Sequence, residues 1–177
     1  GIINGTTNYI LSRMDKEAAS YADVLKDAQD LGYAESDPAA DVEGADAADK
    51  IAILSGLAFG GSINRADIQT TGINLLEGID VCYARKLGYG IKLLAISEKR
   101  EIQSKITNSQ PLSVWVEPTL VPEDNPLAGV NGVNNAILVE GNPIGKVMFF
   151  GPGAGSGPTA SAVVADILNI AGIQSMS

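Results

Sequence analysis

The chain has 177 residues, 45% of them hydrophobic and 19% charged, the proportions of one packed globular domain and not of a disordered tail. A net charge of −9 without basic clusters argues against nucleic acid or anionic lipid as partners. There is no histidine and one cysteine, Cys82. Intrachain disulfides, Cys-based zinc sites, Ser-His-Asp or Cys-His machinery and histidine acid/base chemistry are therefore excluded, and proton transfer falls to carboxylates, lysines or tyrosines.

The chain opens on Gly1-Ile2-Ile3, an apolar strand end that enters a turn at Asn4-Gly5-Thr6-Thr7. It carries no initiator Met or leader pattern, so Gly1 reads as a position inside a longer protein. Gly5 permits the bend, and a Thr oxygen can cap a short helix to about Met14. Ser20 with Asp23 forms a weak capping box, and Tyr21, Val24, Leu25, Ala28 and Leu31 recur at helical spacing until Gly32 ends the helix. Residues 33–43 read as a polar connection containing Pro38. The next helix carries Ala47, Ile51, Leu54 and Ala58 on one stripe and stops at Gly60-Gly61. Residues 47–61 are the nearest approach to a membrane span of roughly 18 residues, and Asp49 and Lys50 interrupt them.

A short strand falls within 67–73 and a helix over 76–87, closed by Gly88. Residues 89–96 and 112–121 read as strands, with Pro118 marking an edge or bend. Residues 134–140 and 145–150 form a hairpin around Gly141-Asn142-Pro143-Ile144. A glycine-rich loop over 151–159 leads to a final helix from about Ala160, with Val163, Val164, Ile167, Leu168 and Ala171 at helical spacing. Residues 98–112 carry no motif and stay unassigned. Tyr9, Trp115, Phe149 and Phe150 are expected in the core or an interface, and Cys82 buried and inert. Helices followed by strands predict an α+β fold, with the helices packed on one face of a mixed, mostly antiparallel β-sheet.

Three constellations can carry chemistry. The first is the acidic run Glu35, Asp37, Asp41, Glu43, Asp46 and Asp49, ending in Lys50. Asp46 and Lys50 are i,i+4 and share a helix face. A lysine beside Ala47, Ile51 and Leu54 is partly desolvated, and a nearby carboxylate orients it, the combination that makes a lysine a proton donor and acceptor. The same spacing also describes an ordinary surface pair, and the acids also suit a helix N-terminus. No calcium-loop pattern is present, and no metal is expected. The second is the glycine-rich loop Gly151-Pro152-Gly153-Ala154-Gly155. It lacks the Lys-[Ser/Thr] ending of a Walker loop, and it reads as a tight turn or as a place where backbone approaches a ligand. The third is Asn4-Gly5-Thr6-Thr7, which by itself is a helix cap.

Taken together, these pieces resemble the catalytic domain of homoserine dehydrogenase. The match runs through residues 1–11, then Ala28-Gln29-Asp30-Leu31-Gly32-Tyr33-Ala34-Glu35-Ser36-Asp37-Pro38, Asp41-Val42-Glu43-Gly44-Ala45-Asp46-Ala47-Ala48-Asp49-Lys50, and Gly151 to Gly155 with Thr159. The resemblance implies interconversion of L-homoserine and L-aspartate 4-semialdehyde with NAD or NADP, on the route to threonine, isoleucine and methionine, in a cytoplasmic homodimer paired through its sheet. It implies that Lys50 is the proton donor to the aldehyde oxygen and that Asp46 orients the reacting group and assists proton transfer. It places Glu35 and Asp41 near the substrate's α-ammonium, Gly5, Thr6 and Tyr33 around the substrate, and Gly155 and Thr159 near the nicotinamide. It also implies a division at about residue 150. Residues 1–150 form the substrate and dimerisation domain, and 151–177 return to an N-terminal Rossmann domain that this chain lacks. The alternative from another class is an acidic binding or dimerisation module without chemistry.

Overall fold

The computed structural model describes residues 1–99 and 112–175. Among these residues, six α-helices, a three-stranded mixed sheet and a separate two-stranded hairpin make up the fold. Helix α1 (Gly5–Glu17) starts on Asn4, whose side-chain oxygen accepts from the Thr7 N–H at 2.9 Å. The cap is thus the asparagine and not a threonine, because Asn4 is the last extended residue before the helix. Ile10, Leu11 and Met14 point into the core, and each contributes about 1.5–3 kcal/mol by burial.

Helix α2 (Tyr21–Asp30) is capped by Ser20 through the Asp23 N–H. It ends with Gly32 at φ +76°, where the Tyr33 N–H reaches the Ala28 carbonyl and the Gly32 N–H reaches that of Gln29. This paired closure is the Schellman arrangement, and it favours glycine for its left-handed backbone. Leu31 lies past the last helical turn and is exposed, against its place in the expected apolar stripe. Within the expected polar connection, Ala39–Val42 closes one helical turn, α3, behind Pro38. Helix α4 (Ala45–Phe59) follows and stops at Gly60 as expected. Its N-terminal half is packed, but Ala58, Ile53 and Leu57 are exposed, so the stripe is buried only as far as Ser55.

Strand β1 (Gln69–Thr70) pairs parallel with β3 (Leu112–Pro122), and β3 pairs antiparallel with β2 (Tyr89–Lys99) in the order β1-β3-β2. Pro118 lies inside β3 opposite Leu93, two residues beyond the last pairing with β1, where that side of the strand is already an edge. Helix α5 (Gly78–Lys86) carries a reciprocal capping box between Glu77 and Asp80. Cys82 on this helix is half-buried instead of buried. Residues 100–111, most of the segment left unassigned, lie outside the described residues.

Along β2 the side chains alternate between two cores. Leu93 and Ala95 join the helices, while Leu94 joins Val121, Leu127, Val130, Ala136 and Ile2. The helices therefore cover one face as expected, and residues 127–130 with the chain start cover the other.

The hairpin of β4 (Asn134–Gly141) and β5 (Gly145–Pro152) forms its own sheet. Gly1 and Ile2 join it to the first sheet. The Ala95 N–H donates to the Gly1 carbonyl at 3.0 Å, and Ile2 and Ala136 exchange two backbone bonds at 2.7 and 2.8 Å. Phe149 and Phe150 on β5 are exposed, while Tyr9 is buried. Helix α6 (Ser156–Ser175) begins four residues before its expected start, because Ser156 to Thr159 already turn as a helix, and its residues 156–172 are all exposed. Among the described residues, no helix is long and apolar enough to cross a membrane.

Candidate functional site

The start of α1, the single turn of α3 and the first turns of α4 converge on one polar cluster. Asn4 holds it together. Its amide nitrogen donates to Asp41 Oδ1 at 2.6 Å and to Asp46 Oδ2 at 2.9 Å. The same Asp46 oxygen accepts from Lys50 Nζ at 2.7 Å, and Lys50 also donates to the Ile3 carbonyl at 3.2 Å. An ammonium has three N–H donors. Two are used, which leaves one for a ligand. Helical spacing brings Asp46 and Lys50 together, and α3 adds Asp41 by setting it one turn ahead of the Gly44 bend. That bend is pinned from below. At Gly72 the chain passes so close that a Cβ there would lie 2.1 Å from the Val42 carbonyl oxygen.

Around this cluster lies a cavity of about 390 Å³, lined by Asn4, Gly5, Thr6, Gly32, Tyr33, Asp41, Asp46, Lys50, Val133, Asn135 and Gly153 to Gly155. Thr6 Oγ1 donates to the Tyr33 carbonyl at 2.8 Å, and the Tyr33 ring sits 5.0 Å from that of Tyr9. Gly5 meets the Val133 carbonyl so closely that a Cβ would fall 2.8 Å from it. Lys50, Asn135 and Gly153 also border a second, mostly apolar cavity of about 460 Å³, formed by Ile3, Ile53, Leu54, Ile137, Phe149 and Phe150.

A protein-family model described as homoserine dehydrogenase matches residues 1–168. A homoserine dehydrogenase of Synechocystis sp. is 57% identical over 173 residues, covering 98% of this chain and 39% of the relative. The chain belongs to the homoserine dehydrogenase family. Among solved structures, a homoserine dehydrogenase from Thiobacillus denitrificans superimposes with a TM-score of 0.93 at 47% identity, covering 99% of this chain and 39% of that one. A hyperthermophilic archaeal homoserine dehydrogenase mutant in complex with NADPH follows at 0.72 and 28% identity, covering 94% and 44%. This chain spans about two-fifths of the length of these relatives.

Against that family frame, the residues expected to form the site are distributed as follows. Lys50, Asp46, Asp41, Tyr33, Gly5, Thr6 and Gly155 line the polar cavity together. Glu35 lies exposed on the connection after α2, away from the cavity lining, where its backbone carbonyl accepts from Gln29. Thr159 sits in the first turn of α6, exposed, with its N–H on the Gly155 carbonyl at 3.0 Å. Two residues of the site escape a sequence reading. The side chain of Asn4 is the hub of the cluster, and its only signal is its place before Gly5. Asn135 packs against Gly153, where a Cβ would fall 1.8 Å from its amide nitrogen, and its buried side-chain oxygen has no hydrogen-bond partner among the described residues. No pattern in the sequence marks it. Among the described residues, no group of three or more Asp, Glu, Cys or His could hold a metal ion.

Proposed function

We propose that this chain is the substrate-holding part of a cytoplasmic enzyme that interconverts L-homoserine and L-aspartate 4-semialdehyde with NAD or NADP. The observation that carries the reading is the position of Lys50. It borders both the polar and the apolar cavity and is tied to Asp46.

The apolar cavity suits the nicotinamide end of the cofactor. It is mostly apolar, and at Gly153 only backbone lines it. When bound, the cofactor supplies or takes the hydride. Lys50 holds the substrate oxygen with its remaining N–H and gives it a proton as the aldehyde is reduced, stabilising the developing alkoxide. Asp46 fixes the direction of the ammonium and assists the proton transfer. Asp41 offers a carboxylate to the substrate's α-ammonium, and by family likeness Glu35 does the same. Gly5, Thr6 and Tyr33 shape the pocket, and Gly155 and Thr159 approach the nicotinamide.

The dinucleotide-binding Rossmann part belongs to the additional length of the relatives. Residues 151–177 turn toward it, which accounts for the exposed apolar side chains of α6. The protein pairs as a homodimer through an exposed apolar face of the hairpin, with Met148 and Phe150 among its members.

The test uses the complete gene product and follows homoserine-dependent reduction of NAD and NADP. Lys50→Ala lowers kcat about a thousandfold with the fold intact by circular dichroism. Retained activity overturns the role of Lys50. Binding of homoserine without turnover in the unaltered protein makes the chain a binding module.

A further inference from the structure

Lys92 on β2 is a buried ammonium, 4% exposed, that the proposed chemistry does not use. It donates to the Val130 carbonyl, to Asn131 Oδ1 at 3.1 Å and to Asn8 Oδ1 at 3.3 Å. Among the described residues it forms no ion pair. A buried charge whose hydrogen-bond partners are all neutral is unfavourable, and an apolar side chain of the same volume would serve the core better. Its partners show what it does instead. Asn8, also buried, turns its amide nitrogen to the Gly132 and Asn134 carbonyls at 3.0 and 3.1 Å. One turn on, Ser12 Oγ accepts the Gly132 N–H at 3.2 Å. Residues 130–134 are thereby strapped to β2 and to one face of α1. That face begins at Gly5, where the strap brings the Val133 carbonyl against the floor of the polar cavity.

We propose that Lys92 is a positioning residue for substrate: through Asn8 and the 130–134 strap it fixes the gap between the Val133 wall and the Gly5-Thr6 floor. The proposal rests on the reading of that cavity as the homoserine pocket.

The experiment is steady-state kinetics of the complete enzyme with Lys92→Met, Asn8→Ser and the double variant. Each single change raises the KM for homoserine about tenfold, leaves the KM for the dinucleotide unchanged and alters kcat less than about threefold. The double variant is no worse than the more affected single one, because both break the same strap. A Lys92→Met enzyme with an altered melting temperature and an unaltered KM for homoserine overturns the proposal and leaves Lys92 a core residue. Should Lys92→Met fail to fold, Asn8→Ser decides by the same KM comparison. An unaltered enzyme without homoserine turnover removes the reading of the pocket itself, and the proposal falls with it.

Discussion

The amide of Asn4 is divided between two tasks. Its oxygen caps α1, and its nitrogen is shared by Asp41 and Asp46. Asn4→Asp separates them. Aspartate caps a helix as well as asparagine does, but it removes both donors and sets a third carboxylate beside two others. Urea unfolding of Asn4→Ala should show a loss of about 1–2 kcal/mol from the cap. Asn4→Asp should keep α1 capped yet lose turnover, because crowded like charges hold a proton and misdirect Asp46. The Asp46–Lys50 pair was legible from spacing alone, since i,i+4 fixes a shared helix face. Asn4 was not, because nothing local says that α3 and α4 will bring carboxylates to its free nitrogen. Lys92 offers a pH test at the same scale. Burial lowers its ammonium from 10.5 to about 8, with Asp15 opposing. The folded state therefore releases this proton before the unfolded chain does. Its penalty is full below pH 8 and is relieved as pH rises toward 10.5, so stability rises across that window by up to about 1.4 kcal/mol per pH unit. Denaturation of Lys92→Met against pH should lack this component.

Helix limits were readable wherever a side chain caps or a glycine must take positive φ. Ser20, Gly32, Gly60 and Gly88 all mark ends that the structure keeps. The misreadings share a different cause. Leu31 and Ala58 fit helical periodicity, yet both are exposed among the described residues, and periodicity knows nothing of neighbours. The single turn of α3 was hidden because four residues are too few to display a period. It is nevertheless the element that places Asp41. Its support from beneath is steric, from the passage of Gly72 under Val42 and Glu43. Any side chain at Gly72 meets backbone on the other side, which cannot move aside as a flexible side chain can. Gly72→Ala should destabilise the domain by about 3 kcal/mol or more in urea unfolding, with the acidic cluster displaced.

At the scale of the molecule, the mixed class of the fold and the pairing of the hairpin were legible, but the pairing of β3 with β1 and β2 and the division into two sheets were not. That division depends on where Gly1 and Ile2 run, and two residues carry no pattern. Residues 156–172 of helix α6 are all exposed. Val163, Ile167 and Leu168 are 53–65% exposed, so removing residues 156–177 should leave the unfolding midpoint unchanged while lowering the binding of a hydrophobic dye. The opposite holds at the other end of the chain. Gly1 and Ile2 are clasped between β2 and β4, the Ile3 carbonyl accepts from Lys50, and Asn4 donates to both aspartates. Four consecutive residues thus act as a rigid spoke from the seam of the two sheets to the Lys50 ammonium. If the seam parts, the aim of Lys50 shifts with it. On the proposed function, the precision of the chemistry is set as much by Ala95 and Ala136, which stand outside the polar cavity, as by the carboxylates that line it.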